Sequence, residues 1–280
     1  MPADRTVRRL RRWPIALAIA LTLLAATVPS QVASANTSVD RHQAKPTIVL
    51  VHGAWADGGS WNAVTQRLQR EGYPVRVPPN PLRSLPGDSA TVASFLSTIA
   101  GPIILVGHSY GGAVITNAAT GNRNVKALVY VDAFVPDEGE TVLPLAGPDS
   151  ALAVDPATVF DFVPYPGAPA GDVDLYLKRA VFQTSFANGV PADTAALLYA
   201  TQRPVTFSAG NQPSGAAAWK TIPSWYLLGT QDKVIPAAQQ RFMAKRANAR
   251  TVEVRAGHLS LITRAGETTD LIIKAVRKTT

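Results

Sequence analysis

The 280-residue chain has no cysteine and only four histidines. Without cysteine there is no disulfide framework, no thiolate metal site, no cysteine nucleophile and no lipoprotein anchor, so stability must come from the hydrophobic core. Charged side chains make up 16% of the chain and aromatic ones 7%. No run of Lys and Arg is interleaved with aromatics, so the net charge of +8 does not point to nucleic acid. HExxH, a P-loop and GxGxxG are all missing, and neither a metal nor a nucleotide cofactor is expected. There is no internal repeat and no low-complexity tract.

Much of the positive charge sits at one end. Arg5, Arg8, Arg9, Arg11 and Arg12 precede an apolar run from Pro14 to Val28, and Ala33-Ser34-Ala35 then supplies small residues. The run is shorter than the ~20 residues that cross a bilayer, and the arrangement is that of a cleavable export signal. Residues 1–35 are therefore expected to be a signal peptide cleaved after Ala35, giving a secreted or periplasmic protein with no lasting membrane association. Taking five Arg and one Asp from totals of 27 and 19 leaves 22 basic and 18 acidic side chains in the mature chain.

Beyond that segment, short apolar runs alternate with helical patterns. Strands are expected at Lys45–Val51, Tyr73–Val77 (an edge strand, because of Pro74), Ile103–Val106, Ala127–Val131, Ser224–Leu228 and Thr251–Arg255. Helices are expected after Ser60, after Asp88, over Gly112–Thr120, over Ala237–Ala247 and over Thr268–Lys278. Such alternation predicts an α/β fold with a doubly wound, mainly parallel sheet. The rhythm breaks between residues 135 and 221, where prolines are frequent and helix patterns occur at Val173–Phe186 and Asp193–Arg203. The expected organisation is a core of residues 36–134 and 222–280, with 135–221 inserted after the fourth strand as a mostly helical lid.

Gly107-His108-Ser109-Tyr110-Gly111 is the chemically informative pentapeptide. A G-x-S-x-G pattern arises by chance about 0.1 times in a chain this long. Here it lies between an apolar strand and an apolar helix, the setting of a nucleophile elbow. The sharp turn tolerates no neighbouring side chains, which accounts for Gly107 and Gly111, with Gly112 allowing close helix packing. A serine hydroxyl needs a base, and the base needs an orienting carboxylate. His42 lies in the lead-in, and His52 and His108 lie in turns beside the serine. His258, following the last strand, is the histidine able to reach back over Ser109. The order serine, acid, histidine admits two acids, of which Asp232 in Gly229-Thr230-Gln231-Asp232 is preferred and Asp132, at the end of the preceding strand, is the alternative. An oxyanion needs two backbone N–H donors. Tyr110 is one candidate; Ala54 in His52-Gly53-Ala54-Trp55 is the other, with Trp55 as its alternative.

Taken together, His52-Gly53-Ala54 with Trp61 nearby, Gly107–Gly112, Gly229–Asp232 and Gly257-His258 resemble the small serine esterase branch of the α/β-hydrolase superfamily. Within it the chain looks like bacterial esterases akin to the plant methylesterase and hydroxynitrile lyase group, from about residue 46 to the C-terminus. The resemblance implies nucleophile Ser109, base His258, acid Asp232, an oxyanion hole of Ala54 and Tyr110, and a lid over an apolar pocket. The lyases of that group carry a threonine in the first loop and a lysine after the catalytic histidine. Gly53 and Leu259 stand there in this chain, against cyanohydrin cleavage.

The insertion holds Phe160, Phe162, Tyr165, Tyr176, Phe182, Phe186, Tyr199 and Phe207, with few basic side chains besides Lys178, Arg179, Arg203 and Lys220. That balance favours an apolar acyl or aryl group over a phosphate or polysaccharide. The expected activity is hydrolysis of small to medium carboxylic esters through an acyl-enzyme. The same triad could serve a lactone, thioester, amide or carbon–carbon bond. The other readings are a ligand-binding protein with little turnover and a surface protein held by an uncleaved N-terminal helix.

Overall fold

A computed structural model describes residues 45–280; the expected signal peptide, its cleavage site and His42 lie outside the described residues. The core is a six-stranded parallel sheet in the order β2-β1-β3-β4-β8-β9. Its strands are β1 (Thr47–Val51), β2 (Val75–Arg76), β3 (Ile103–His108), β4 (Val125–Val131), β8 (Ser224–Gly229) and β9 (Arg250–Val254). β3 and β8 are buried along their whole length, as an unbroken apolar run must be when helices cover both faces of a parallel sheet. β2 and β9 form the edges and are more polar, and Pro74 leaves β2 only two residues long.

Helices α1 (Asn62–Arg70), α2 (Leu85–Ser97) and α3 (Tyr110–Ala118), with those at Ala237–Arg246 and Ala265–Thr279, flank the sheet. Two starts differ from the sequence expectation. α2 begins with Ser84, whose hydroxyl accepts the Gly87 N–H, and a proline occupies its first turn; both favour a helix start there. Asp88 therefore lies inside the first turn, not at the cap. α3 begins at Tyr110, directly behind the serine.

Between β4 and β8 lie several short helices, including Ala192–Ala200, and a small antiparallel sheet of β5 (Phe160–Val163), β6 (Asp174–Leu177) and β7 (Val205–Thr206). The helix expected over Val173–Phe186 is instead β6 followed by a short helical turn and a π-helical turn at Phe182–Phe186. The apolar residues of this stretch suit either structure. Pairing of β6 with Phe160–Val163 and Val205–Thr206, contacts distant in sequence, selects the strand.

Candidate active site

The sheet delivers three loops to one end. Ser109 follows β3 with φ 54° and ψ −126°, a conformation foreign to side-chain-bearing residues. Backbone bonds hold it there: its N–H donates to Val131 O (3.3 Å), and its carbonyl accepts from Gly112 N–H (2.9 Å) and Phe134 N–H (3.1 Å). Crowding explains the glycines. A Cβ on Gly111 would lie 2.6 Å from Val51 O, and one on Gly53 would lie 2.6 Å from Ser109 Cβ.

His258, in the loop after β9, bridges the other two groups. Its Nε2 is 2.9 Å from Ser109 Oγ, and its Nδ1 is 2.8 Å from Asp232 Oδ2. Asp232, in the loop after β8, also accepts at Oδ2 from the Gln240 amide (2.9 Å) and at Oδ1 from Val234 N–H (2.7 Å) and Ile235 N–H (2.9 Å). Four donors occupy all four acceptor positions of a carboxylate, so the ionised form fits even though burial pushes the carboxyl upward. An ionised Asp232 makes His258 Nδ1 the proton-bearing nitrogen and leaves the Nε2 lone pair facing the serine hydroxyl. Burial drives the His258 pKa down from 6.5 to about 3, while the adjacent carboxylate works in the opposite direction.

Asp132 has a different set of partners. Its Oδ1 accepts Gly229 N–H (2.7 Å), and its Oδ2 accepts Ser260 N–H (3.2 Å) and the Ser260 hydroxyl. It thereby ties the loop carrying Asp232 to the loop carrying His258. Burial, reinforced by the nearby Asp232 charge, raises its carboxyl well above the usual range. The two remaining described histidines are held by backbone groups. His52 Nδ1 donates to Gly53 O (3.0 Å) and its Nε2 accepts Asn80 N–H (3.1 Å). His108 Nε2 donates to the carbonyl of His258 (2.9 Å). Burial lowers both pKa values, keeping these rings neutral.

Tyr110 follows the serine and Ala54 follows Gly53, which packs against Ser109 Cβ; among the described residues neither the Ala54 nor the Tyr110 N–H donates to another group. Trp55 has φ 55°, and its indole N–H donates to Leu175 O at 2.9 Å. The Tyr110 hydroxyl donates to the buried Asp88 (2.8 Å), whose carboxyl burial raises. The whole constellation is withdrawn from water: Ser109 is 1% exposed and His258 0%. Phe186, from the π-helical turn, leans on the His258 ring at 5.3 Å. Gln240 and Ser260 escape sequence reasoning, and Asp88 enters it only as a helix cap, because single polar residues on helices and loops carry no motif. Phe186 was one aromatic among eight. No group of His, Asp and Glu that could hold a metal ion occurs among the described residues.

Residues 48–271 match the alpha/beta hydrolase family. A pyrethroid hydrolase of Sphingobium wenxiniae is 31% identical over 215 residues, 71% of this chain and 75% of that protein. A carbendazim hydrolyzing esterase of a Nocardioides strain is 36% identical over 110 residues, spanning 35% of this chain and 46% of the relative. Among solved structures, polyneuridine aldehyde esterase superposes with a TM-score of 0.70 at 17% identity, covering 82% of this chain and 98% of its own; at that identity the likeness concerns the fold.

Proposed function

The chain belongs to the alpha/beta hydrolase family, and we propose that within it the protein is a serine esterase acting on small to medium apolar carboxylic esters. The observation that carries this reading is one imidazole placed 2.9 Å from a strained serine hydroxyl and 2.8 Å from a fully hydrogen-bonded carboxylate. In this mechanism His258 Nε2 takes the Ser109 proton as Oγ attacks the ester carbon. Asp232 steadies the imidazolium, and the Ala54 and Tyr110 N–H groups receive the oxyanion. Collapse of the tetrahedral adduct breaks the bond to the alcohol, which leaves with the proton from His258. A water molecule then loses a proton to His258, attacks the acyl-enzyme and releases the carboxylic acid and free Ser109. Esterase relatives support the ester bond as the target.

A fluorophosphonate probe should label Ser109, and Ser109→Ala should abolish both labelling and turnover of p-nitrophenyl acetate. A folded protein that resists labelling, or an alanine variant with full activity, defeats the proposal. A panel of ester, lactone, thioester and amide substrates should favour esters. The arginine-rich start and Ala33-Ser34-Ala35 carry a second proposal, export with cleavage after Ala35. Sequencing the mature N-terminus should give Asn36, and an intact Met1 would contradict it.

A further inference from the structure

The triad chemistry makes no use of a file of aromatic rings that leads away from it. Phe186 touches the His258 ring and meets Trp55 edge-on, with centroids 5.8 Å apart. Trp55 stacks on Phe160 at 5.8 Å, and Phe160 meets Phe162 edge-on at 6.4 Å. The inner end of the file is the base. Its outer end is a cavity of about 290 Å³ whose walls include Phe160, Phe162, Leu175, Leu143, Pro156 and Phe207.

Three features of this cavity bear on what it holds. No charged side chain lines it, and its polar lining residue, Asn211, donates a side-chain N–H to Phe207 O. Its rim is apolar yet faces water: Val154 is 55% exposed, and Phe162 and Phe207 are 46% exposed each. Clustered exposed apolar side chains mark binding surfaces. The cavity also shares a wall with the site, because Phe160 lines it and stacks on Trp55, while Leu175 lines it and accepts the Trp55 indole N–H. Trp55 directly follows Ala54, so the Trp55–Phe160 pair is a partition between the cavity and the loop beside Ser109.

We propose that this cavity is an outer subsite for the apolar, uncharged arm of the substrate, an aryl ring or alkyl chain, whose ester carbon is attacked at Ser109. The assignment rests on the esterase reading given above. Pockets that enclose a whole drug-sized ligand run from about 300 to 1,000 Å³; this one lies just below that range and suits one arm of a ligand. The arm reaches Ser109 past the Trp55–Phe160 stack, which parts as it enters.

The test compares p-nitrophenyl acetate with the octanoate in wild type, Phe207→Asp and Phe162→Asp. Each methylene withdrawn from water onto apolar surface is worth about fourfold. Charging the rim should therefore reduce kcat/KM for the octanoate by at least about tenfold, mainly through KM, and leave the acetate within about twofold. Binding of the fluorescent aryl probe N-phenyl-1-naphthylamine to Ser109→Ala should weaken at least tenfold when Phe207→Asp is added. An unchanged acyl-length preference with unchanged probe binding overturns the assignment. So does an equal loss on both esters, or an elution shift from dimer to monomer, which would make the patch a contact between copies. If wild type turns over neither ester yet binds the probe in a Phe207-dependent manner, the cavity assignment stands and the esterase reading falls.

Discussion

Replacing Asp232 and Asp132 by asparagine, one at a time, separates their roles by a margin that follows from their partners. In Asp232→Asn the amide oxygen must stay against Val234 N–H and Ile235 N–H, because the opposite flip would set an NH₂ against two donors. The NH₂ then faces Gln240 and His258 Nδ1, so Nδ1 has to become an acceptor and the ring proton moves to Nε2. That nitrogen can no longer take the proton of Ser109. Imposing the wrong tautomer on a triad histidine lowers kcat by about 10⁴, or about 5 kcal/mol of barrier. In Asp132→Asn the oxygen still serves Gly229 N–H, but Ser260 N–H loses its acceptor. An unsatisfied buried donor costs about 1–3 kcal/mol of stability. Activity should fall by less than about 100-fold, even if the His258 loop shifts by an ångström. The assay is kcat/KM on p-nitrophenyl acetate for both variants, with active sites counted by fluorophosphonate labelling and stability followed by thermal melting. A folded Asp132→Asn protein as impaired as Asp232→Asn, or more so, refutes the tautomer argument.

Burial of His258 also has a pH consequence. Its folded pKa of about 3 lies below the ordinary 6.5, so the unfolded chain binds the extra proton, and stability is lost as pH falls from 6.5 toward 3. The interval corresponds to at most about 5 kcal/mol. His52 and His108 add in the same direction, and Asp132, Asp232 and Asp88, whose carboxyls burial raises, oppose it. Urea midpoints at pH 7, 5 and 4 should decline, and decline less in His258→Gln; identical slopes would contradict this. The acid limb of kcat/KM should lie below 6.5 in wild type and move lower still in Asp232→Asn, which removes an anion favouring imidazolium; a pH–rate profile that shifts upward counts against the pairing. Gly53→Ala would put a methyl 2.6 Å from Ser109 Cβ and 2.9 Å from His108 O. Fluorophosphonate labelling should slow by at least about 100-fold, as for an ångström of misplacement, and an unchanged rate would show that the loop yields. Asp88→Ala also strips the Arg83 N–H of its acceptor, but adding Tyr110→Phe to it should cost no further activity, because one hydrogen bond joins the two side chains; additive losses would mean that the groups act separately.

Patterns confined to one segment were legible without the fold. The core strands read as unbroken apolar runs because a parallel sheet is covered on both faces. The elbow read as Gly107–Gly111 because a strained turn restricts its own neighbours. What was not legible depends on residues far apart in the chain. The pairing of Phe160–Val163 with Asp174–Leu177 selects strand over helix in the insertion, and β5 is exposed over most of its length, so no buried alternation marks it. Asp132 and Asp232 both end or follow a sheet strand, and in sequence Asp132 stays open as the alternative to the preferred Asp232. Only the arrangement of loops puts one against His258 and the other across Gly229 and Ser260. The amino-acid sequence by itself determined the fold class and which side chains were available for chemistry, since local sterics and hydrophobic pattern act along the chain. Tertiary structure decided which groups touch, because Ser109 meets a histidine 149 residues away and such distances are set by packing, not by spacing.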